Sequence, residues 1–446
     1  MTKRSIARCA LALAALTLAG PAAAAGPRRM TLAEAVAIAS NQSPGVAIAQ
    51  LRSQEAAAKV TQSRGALLPS VTGQASVVDR TFNLYTLGIT LPSIPGLPPY
   101  AELQGPVYDS EARLVVAQPL FNVASWRKMR ASQLGELGAR ADQGVSSESA
   151  AQAAALAYLR AARAEAVLKA RTDDLGLAQA LQSLAEAQLA AGTSPQIDVT
   201  RARTEVAAAK GTLVIARNAR DRARIDLART LGLDPSAPIE VADSLRAELG
   251  ASDSPTDAPG AVSFALDHRQ ELRGETARLA RARADRSAIA DERLPHVDVS
   301  ADWGQSGQHY GDAIYTYTYA LAVTLPLVDG FRREGRIAEQ GAMVRESEVR
   351  EHDLRDQIDA EVSGALLDLA SGQEQLSVAS ERLRLAKDEV DQATDRFTSG
   401  VAGNIEVIEA QSSLVKARDA DIDARFAVAT ARVALARAAG VARNVH

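Results

Sequence analysis

Two hydrophobic periods run through this chain. From Tyr315 to Leu325 one face carries Tyr315, Tyr317, Tyr319, Leu321, Val323 and Leu325, and the other carries Thr316, Thr318, Ala320, Ala322 and Thr324. Strict period two predicts a strand whose faces meet different surroundings. Val297, Val299, Ala301 and Trp303 alternate in the same way with Asp298, Ser300 and Asp302. The segment after Pro69 and the one ending at Pro119 repeat the pattern more weakly. Length, alternation and aromatics gathered at one end suit a membrane-spanning strand of ~9–11 residues with an interfacial aromatic girdle. A soluble antiparallel sheet with one buried face is the other reading of the same alternation.

The second period is seven. Leu369, Leu376, Leu383, Val390 and Phe397 recur at that spacing, as do Val407, Leu414, Val428 and Leu435, with Asp421 interrupting. Earlier in the chain Leu168, Leu175 and Leu189, then Val199, Val206, Leu213 and Leu227, form matching seams. Heptads rich in alanine predict closely packed, coiled-coil-like helices. The stretch from Asn122 to Ala190 would extend about 100 Å as one continuous helix. Gly192-Thr193-Ser194-Pro195 reads as a C-cap glycine, an N-cap serine and an N1 proline, and Gly400-Val401-Ala402-Gly403 marks an equivalent turn. The long helices therefore fold back as two antiparallel hairpins.

These elements occur twice. Ala190-Ala191-Gly192 through Ile197-Asp198-Val199 aligns without a gap onto Thr398-Ser399-Gly400 through Ile405-Glu406-Val407, an offset of 208 that also superposes Gly232 on Gly440. Leu68-Pro69 pairs with Leu294-Pro295, and Pro119-Leu120 with Pro326-Leu327. A repeat this long defines the domain plan. After a leader at 1–25, the first repeat covers 26–257, with strands at about 70–80 and 108–119 and helices at about 31–66, 122–190 and 195–232. The second covers 258–446, with strands at about 296–304 and 314–326 and helices at about 259–292, 328–399 and 403–440. Pro92 to Pro106, with five prolines in fifteen residues, and Gly304 to Asp312 read as solvent-facing loops between strands.

Composition agrees with a helical, exported protein. Aromatics make up only 4% of the 446 residues and charged residues 23%, a balance suited to long helices and too poor in rings for an ordinary globular core. The basic start, the apolar run through Leu18, the Gly20-Pro21 break and Ala23-Ala24-Ala25 read as a cleavable signal peptide, too short to span a membrane. Cys9, the single cysteine, lies ahead of the apolar run, so neither a lipid anchor at the cleavage point nor a disulfide is expected. The net charge is −4, and removing Lys3, Arg4 and Arg8 with the leader makes it more negative, which disfavours nucleic acid as a partner.

No enzyme signature appears. His268, His296, His309, His352 and His446 are scattered without metal-ligand spacing, and there is no nucleophile elbow, P-loop or dinucleotide fingerprint. No cofactor, metal or catalytic group is expected. Four strands cannot close a barrel and open edges are not tolerated in lipid, so several chains must contribute if the strands enter a membrane. The alternative is an exported periplasmic coiled-coil scaffold or adaptor without a membrane barrel.

Thr31-Leu32-Ala33-Glu34-Ala35-Val36, Leu68-Pro69-Ser70, Gln118-Pro119-Leu120-Phe121-Asn122 leading to Trp126-Arg127, and the doubled Gly-x4-Ile-[Asp/Glu]-Val motifs together carry a family resemblance. In their order, duplication and spacing the mature chain resembles outer-membrane efflux proteins of the TolC family. The resemblance implies a mostly α fold with transmembrane β: four strands per protomer in a shared twelve-stranded barrel of a homotrimer, above a long periplasmic coiled-coil tunnel. It places 233–257 in a small mixed equatorial region. It also implies an outer-membrane exit channel of a tripartite efflux or type I secretion system, in contact with outer-membrane lipid. Energy would come from an inner-membrane RND or ABC pump through a periplasmic adaptor, a membrane fusion protein. The docking turns would be Gly192, Thr193, Ser194 and Pro195 with Gly400, Val401, Ala402 and Gly403.

Glu406 and Glu409 are spaced i,i+3 just beyond the second turn, where the resemblance implies two rings of carboxylates at a pore constriction. A solvated pair near a helix N-terminus is the other reading. Asp198 matches a family position that helps hold the tips closed, with Phe397 standing where a tyrosine can occur and Ala402 where an arginine can. Phe397 also continues a heptad seam, and Arg201 offers Asp198 a local i,i+3 ion pair.

Overall fold

The computed structural model describes residues 28–83, 86, 88, 95–96, 103–236, 239–243, 245–248, 258–309 and 311–446. The leader and Cys9, most of the proline-rich loop and 249–257 lie outside them.

In chain order the elements are β1 (Arg28–Met30), α1 (Leu32–Gln42), α2 (Pro44–Gly65), β2 (Ser70–Asn83), β3 (Leu103–Phe121), α3 (Val123–Ala190), α4 (Gln196–Leu231) and β4 (Ile239–Val241). There follow α5 (Ala258–His268), α6 (Gln270–Ala290), β5 (His296–Gly307), β6 (Ile314–Thr324), α7 (Arg332–Thr398) and α8 (Asn404–Ala438). Among the described residues no helix is long and apolar enough to cross a membrane.

Three expected helices are interrupted or shortened. The helix expected over 31–66 is two, because Pro44 holds Ser43 in an extended conformation (φ −63°, ψ 148°) and separates α1 from α2. The helix expected over 259–292 breaks at Arg269, which leaves helical geometry (φ −62°, ψ 119°) and buries its guanidinium between Glu361 at 2.6 Å and Glu271 at 3.2 Å. The helix expected from 328 starts at Arg332, since Gly330 and Phe331 both adopt left-handed backbone (φ 68° and 63°) that cannot continue a right-handed helix.

The described residues gather into two compact units. One comprises those within Met1–Pro44, Glu148–Ala258 and Gly364–His446. Its first apolar cluster joins Met30, Leu32 and Val36 to Tyr158, Leu159, Leu227, Leu231 and Val433, with many alanines between them. A second cluster packs Leu181, Val199, Val390, Phe397, Val407 and Leu414 around Ala185, Ala202, Ala393, Ala410 and Ala417. Alanine at the contacts lets the helices approach closely, so backbone-dense packing replaces the missing aromatic core. Asp421, which interrupts the heptad, is buried yet satisfied: Ser380 Oγ donates to it at 2.9 Å and Arg425 Nε at 2.7 Å.

Within this unit β1 and β4 pair in parallel, Arg28 to Ile239 through Met30 to Val241. Thr31 caps α1 in a reciprocal box with Glu34. Tyr158, fully buried, shares its hydroxyl with the Met30 carbonyl at 3.0 Å and Asp243 Oδ2 at 3.1 Å, and accepts the Asp243 N–H at 3.0 Å. The same Asp243 carboxylate accepts the first N–H of α1, from Leu32, at 2.8 Å.

The other unit comprises Gly45–Ser147 and Pro259–Ser363. It holds a four-stranded antiparallel sheet in the order β2-β3-β5-β6. The strands of the two repeats meet at β3 and β5, which leaves β2 and β6 as the edges.

Candidate functional site

Two regions carry the functional expectations, the hairpin turns and the sheet. Both turns have the same construction. After α3, Gly192 has φ 74°, its N–H reaches the Leu189 carbonyl at 2.9 Å, and the Thr193 N–H reaches the Gln188 carbonyl at 2.9 Å. After α7, Gly400 has φ 71°, its N–H reaches Phe397 at 3.1 Å, and the Val401 N–H reaches Arg396 at 2.9 Å. These are paired Schellman closures, and left-handed backbone at their C′ position favours glycine. The turns are exposed, with Ser194 and Ala402 half-buried. Ile197 and Ile405, equivalent through the offset of 208, stand 52% and 51% exposed, and Val401 is 70% exposed. Apolar side chains therefore crown both tips.

One local expectation is corrected. Helix α4 begins at Gln196, so Pro195 is the N-cap rather than N1, and it offers no side-chain cap. Ser194 lies one residue earlier and donates its hydroxyl to Asp198 Oδ2 at 2.7 Å instead of capping the helix.

Asp198 is buried, with Arg201 Nη1 at 3.5 Å from its other carboxylate oxygen. Its main-chain carbonyl accepts the Nδ2 amide of the fully buried Asn404 at 2.8 Å, which ties the start of α8 to the start of α4. Phe397 lies in the apolar cluster with Val390 and Val407, and its main-chain carbonyl accepts Gln188 Nε2 at 3.2 Å. The ring packs and the backbone makes the polar link. Glu406 is half-buried, 3.0 Å from Arg396 Nε. Glu409 is exposed and borders a groove of about 490 Å³ with Arg171, Asp174, Glu205 and Ile408.

Sequence reasoning missed Gln188, Arg396 and Asn404. The repeat offers a signal for two of them: Gln188 and Arg396 are equivalent through the offset of 208, and each sits one turn before a cap glycine. Asn404 gave no such signal, because its partner is a backbone carbonyl more than two hundred residues away.

In the sheet, register decides which residues share a face. Trp303 pairs with Leu114 on one side and Tyr317 on the other, Ala301 with Val116 and Tyr319, and Val299 with Leu321. Val71 pairs with Val116 on the same face. Trp303 meets Tyr319 edge-on with centroids 5.6 Å apart, and Tyr317 lies 5.5 Å from Tyr319. Tyr315, Tyr317, Tyr319, Leu321 and Val323 are all exposed. The opposite face is polar. Arg113 pairs in register with Gln74 and Gly304, and its guanidinium reaches Asp302 Oδ1 at 2.5 Å and Thr316 Oγ1 at 3.1 Å. One apolar and one polar face, with an aromatic band at one end, is the arrangement of a strand set between lipid and water.

Among the described residues no group of three or more metal-ligating side chains is close enough to hold an ion.

The family model described as outer membrane efflux protein matches residues 36–233 and 261–441, and the chain belongs to that family. It is 27% identical over 263 residues to protein CyaE of Bordetella pertussis, covering 57% of this chain and 54% of CyaE. It is 27% identical over 197 residues to the pyoverdine export outer membrane protein OpmQ of Pseudomonas putida, covering 44% of this chain and 40% of OpmQ. The chain thus spans about half the length of the curated relatives it matches, or less. The fold is that of the Campylobacter jejuni CmeC outer membrane channel, with a TM-score of 0.76 and 16% identity over 92% of this chain and 86% of that one. The family is one of outer membrane efflux proteins, and membership in it places the protein in the outer membrane.

Proposed function

We propose that the protein is the outer-membrane exit conduit of an efflux or type I secretion system, a homotrimer that passively conducts substrate delivered from the inner membrane. The observation that carries this reading is the sheet: one apolar face, one polar face and two unpaired edges, β2 and β6. Unpaired edge N–H and C=O groups are not tolerated in lipid, so each β6 must meet a β2 of another chain. Three copies would give twelve strands around a water-filled lumen lined by the polar face. The exposed Leu120, Phe121, Trp126, Leu325, Leu327 and Phe331 at the strand–helix junctions suit a belt at the membrane interface.

The hairpin turns are then the ends that meet a periplasmic adaptor, through Ile197, Val401 and Ile405, on behalf of an RND or ABC pump. Glu406 and Glu409 would be repeated by threefold symmetry as carboxylate rings at the periplasmic mouth, and the Asp198–Asn404 link would hold the mouth closed. A signal peptide at 1–25 accounts for export. OpmQ exports pyoverdine by its own description, and cargo of that siderophore class is one candidate for testing here.

The deciding experiment is the native mass of the detergent-extracted protein from outer-membrane fractions, with and without heating. A heat-labile trimer is expected. A monomer soluble without detergent would overturn the channel and leave a periplasmic scaffold.

A further inference from the structure

The polar face of the sheet is charged as well as polar. Its register positions include Arg80 and Arg113 against Asp109, Glu111, Asp298 and Asp302, so carboxylates outnumber guanidiniums. One side chain joins three strands there. Arg113, from β3, lies across Gly304 of β5, where a Cβ would stand 2.5 Å from both Arg113 Cγ and the Ala112 carbonyl oxygen. The missing side chain at 304 is what allows Arg113 to lie flat and reach Asp302 at 2.5 Å, Thr316 at 3.1 Å and Glu111 at 3.6 Å. Arg80 is looser, 3.8 Å from Asp109.

Resting on the barrel reading above, we propose that Arg113 and Asp302 form a selectivity girdle inside the barrel, separate from Glu406 and Glu409. The girdle sets the preference of the lumen between cationic and anionic solutes. Arg113 is the specificity-determining residue, because it holds a fixed positive charge beside an excess of negative ones at a defined depth. In a trimer the pair is repeated three times around the lumen, and fields from a ring of fixed charges add at its axis. The residues are held by their mutual contacts and by the Gly304 cradle, so the charges are fixed in place rather than carried on mobile loops.

The experiment is the reversal potential of the heat-labile oligomer in planar bilayers under a KCl gradient, for wild type, R113Q, D302N and the double variant. R113Q removes a positive charge and should raise the cation-to-anion permeability ratio roughly twofold or more at about 0.1 M salt, where the screening length is ~10 Å. D302N should shift it the other way, and the double variant should return it close to wild type. All three shifts should shrink toward ~1 M salt, where screening falls to ~3 Å. Repeating the set with Glu406 and Glu409 both changed to Gln should preserve the shifts.

If Arg113 and Asp302 only fix strand register, both single variants will lower the temperature at which the oligomer dissociates while the reversal potentials stay together. That result overturns the girdle alone. A protein that forms no conducting oligomer in its wild-type form overturns the channel, and the girdle with it.

Discussion

Asp198 and Glu406 occupy the same position in two copies of one turn, yet they have opposite surroundings. Asp198 is 6% exposed, held by Ser194 at 2.7 Å and beside Arg201 at 3.5 Å. Glu406 is half-buried and faces Arg396 at 3.0 Å. The residue three positions on completes the contrast. In the first copy it is Arg201, which closes an ion pair, and in the second it is Glu409, which adds a second carboxylate. Duplication therefore produced one neutralised turn and one acidic turn from a single pattern.

That asymmetry predicts unequal roles for the two glutamates. Arg396 already offsets part of the Glu406 charge, whereas Glu409 is exposed at a groove where Asp174 is already paired with Arg171 and Arg418 and Glu205 adds a further carboxylate. In bilayer recordings Glu409→Gln should reduce cation preference more than Glu406→Gln, and Arg396→Gln should increase it. Equal effects of the two glutamate changes would contradict the pairing.

The Asn404 amide links α8 to α4 through the Asp198 carbonyl. Asn404→Ala should remove about 1 kcal/mol of local stability, the usual net worth of one such bond. If this link restrains the mouth, the variant should show faster amide exchange at both tips and a larger single-channel conductance, with the heat-dissociation temperature of the proposed oligomer unchanged.

Gly192 and Gly400 have left-handed backbone with open space where a side chain would stand. Gly192→Val or Gly400→Val should therefore cost about 1–2 kcal/mol through backbone strain rather than collision. Adaptor-dependent export should fall while barrel assembly, measured as heat-modifiable oligomer, is retained. Normal export by stably expressed variants would argue against adaptor docking at these turns.

Tyr158 joins β1 to Asp243 through one hydroxyl, and the Asp243 carboxylate in turn accepts the first N–H of α1. Tyr158→Phe leaves the Asp243 N–H without this acceptor and should destabilise the unit by about 1–3 kcal/mol. Burial first, and then the neighbouring Asp243 carboxylate, push the hydroxyl's pKa above the ordinary tyrosine range. Its stabilising contribution is therefore complete below the unfolded value near 10 and is lost as pH rises beyond it. Thermal unfolding across pH 9 to 12 should show a decline that Tyr158→Phe reduces.

Much of this protein was legible in its one-dimensional pattern. Strict alternation from Tyr315 to Leu325 is a local property of strand geometry, and β6 spans Ile314–Thr324. The seams through Leu383, Val390 and Phe397 and through Val407 and Leu414 follow from helical periodicity, and the members with a described core role pack together in one cluster. Cap glycines at 192 and 400 needed nothing beyond the backbone freedom of glycine. Local geometry repeats at a fixed spacing, so these elements could be read without knowing what they touch.

Tertiary structure decided the rest. Whether Asp421 breaks its seam depends on Ser380 and Arg425, and only folding brings Ser380 within 2.9 Å. At the break between α5 and α6 Arg269 is held by Glu361, far along the chain, and the course of Arg113 depends on an absent side chain at position 304 of another strand. Asp198 and Glu406 have the same place in the repeat, and only their neighbours separate a buried anchor from a half-exposed charge. Sequence by itself determined period, turn and repeat, because those are properties of the backbone nearby. The fate of each charge was decided by partners distant in the chain, because desolvation and pairing depend on what folding brings within a few ångströms.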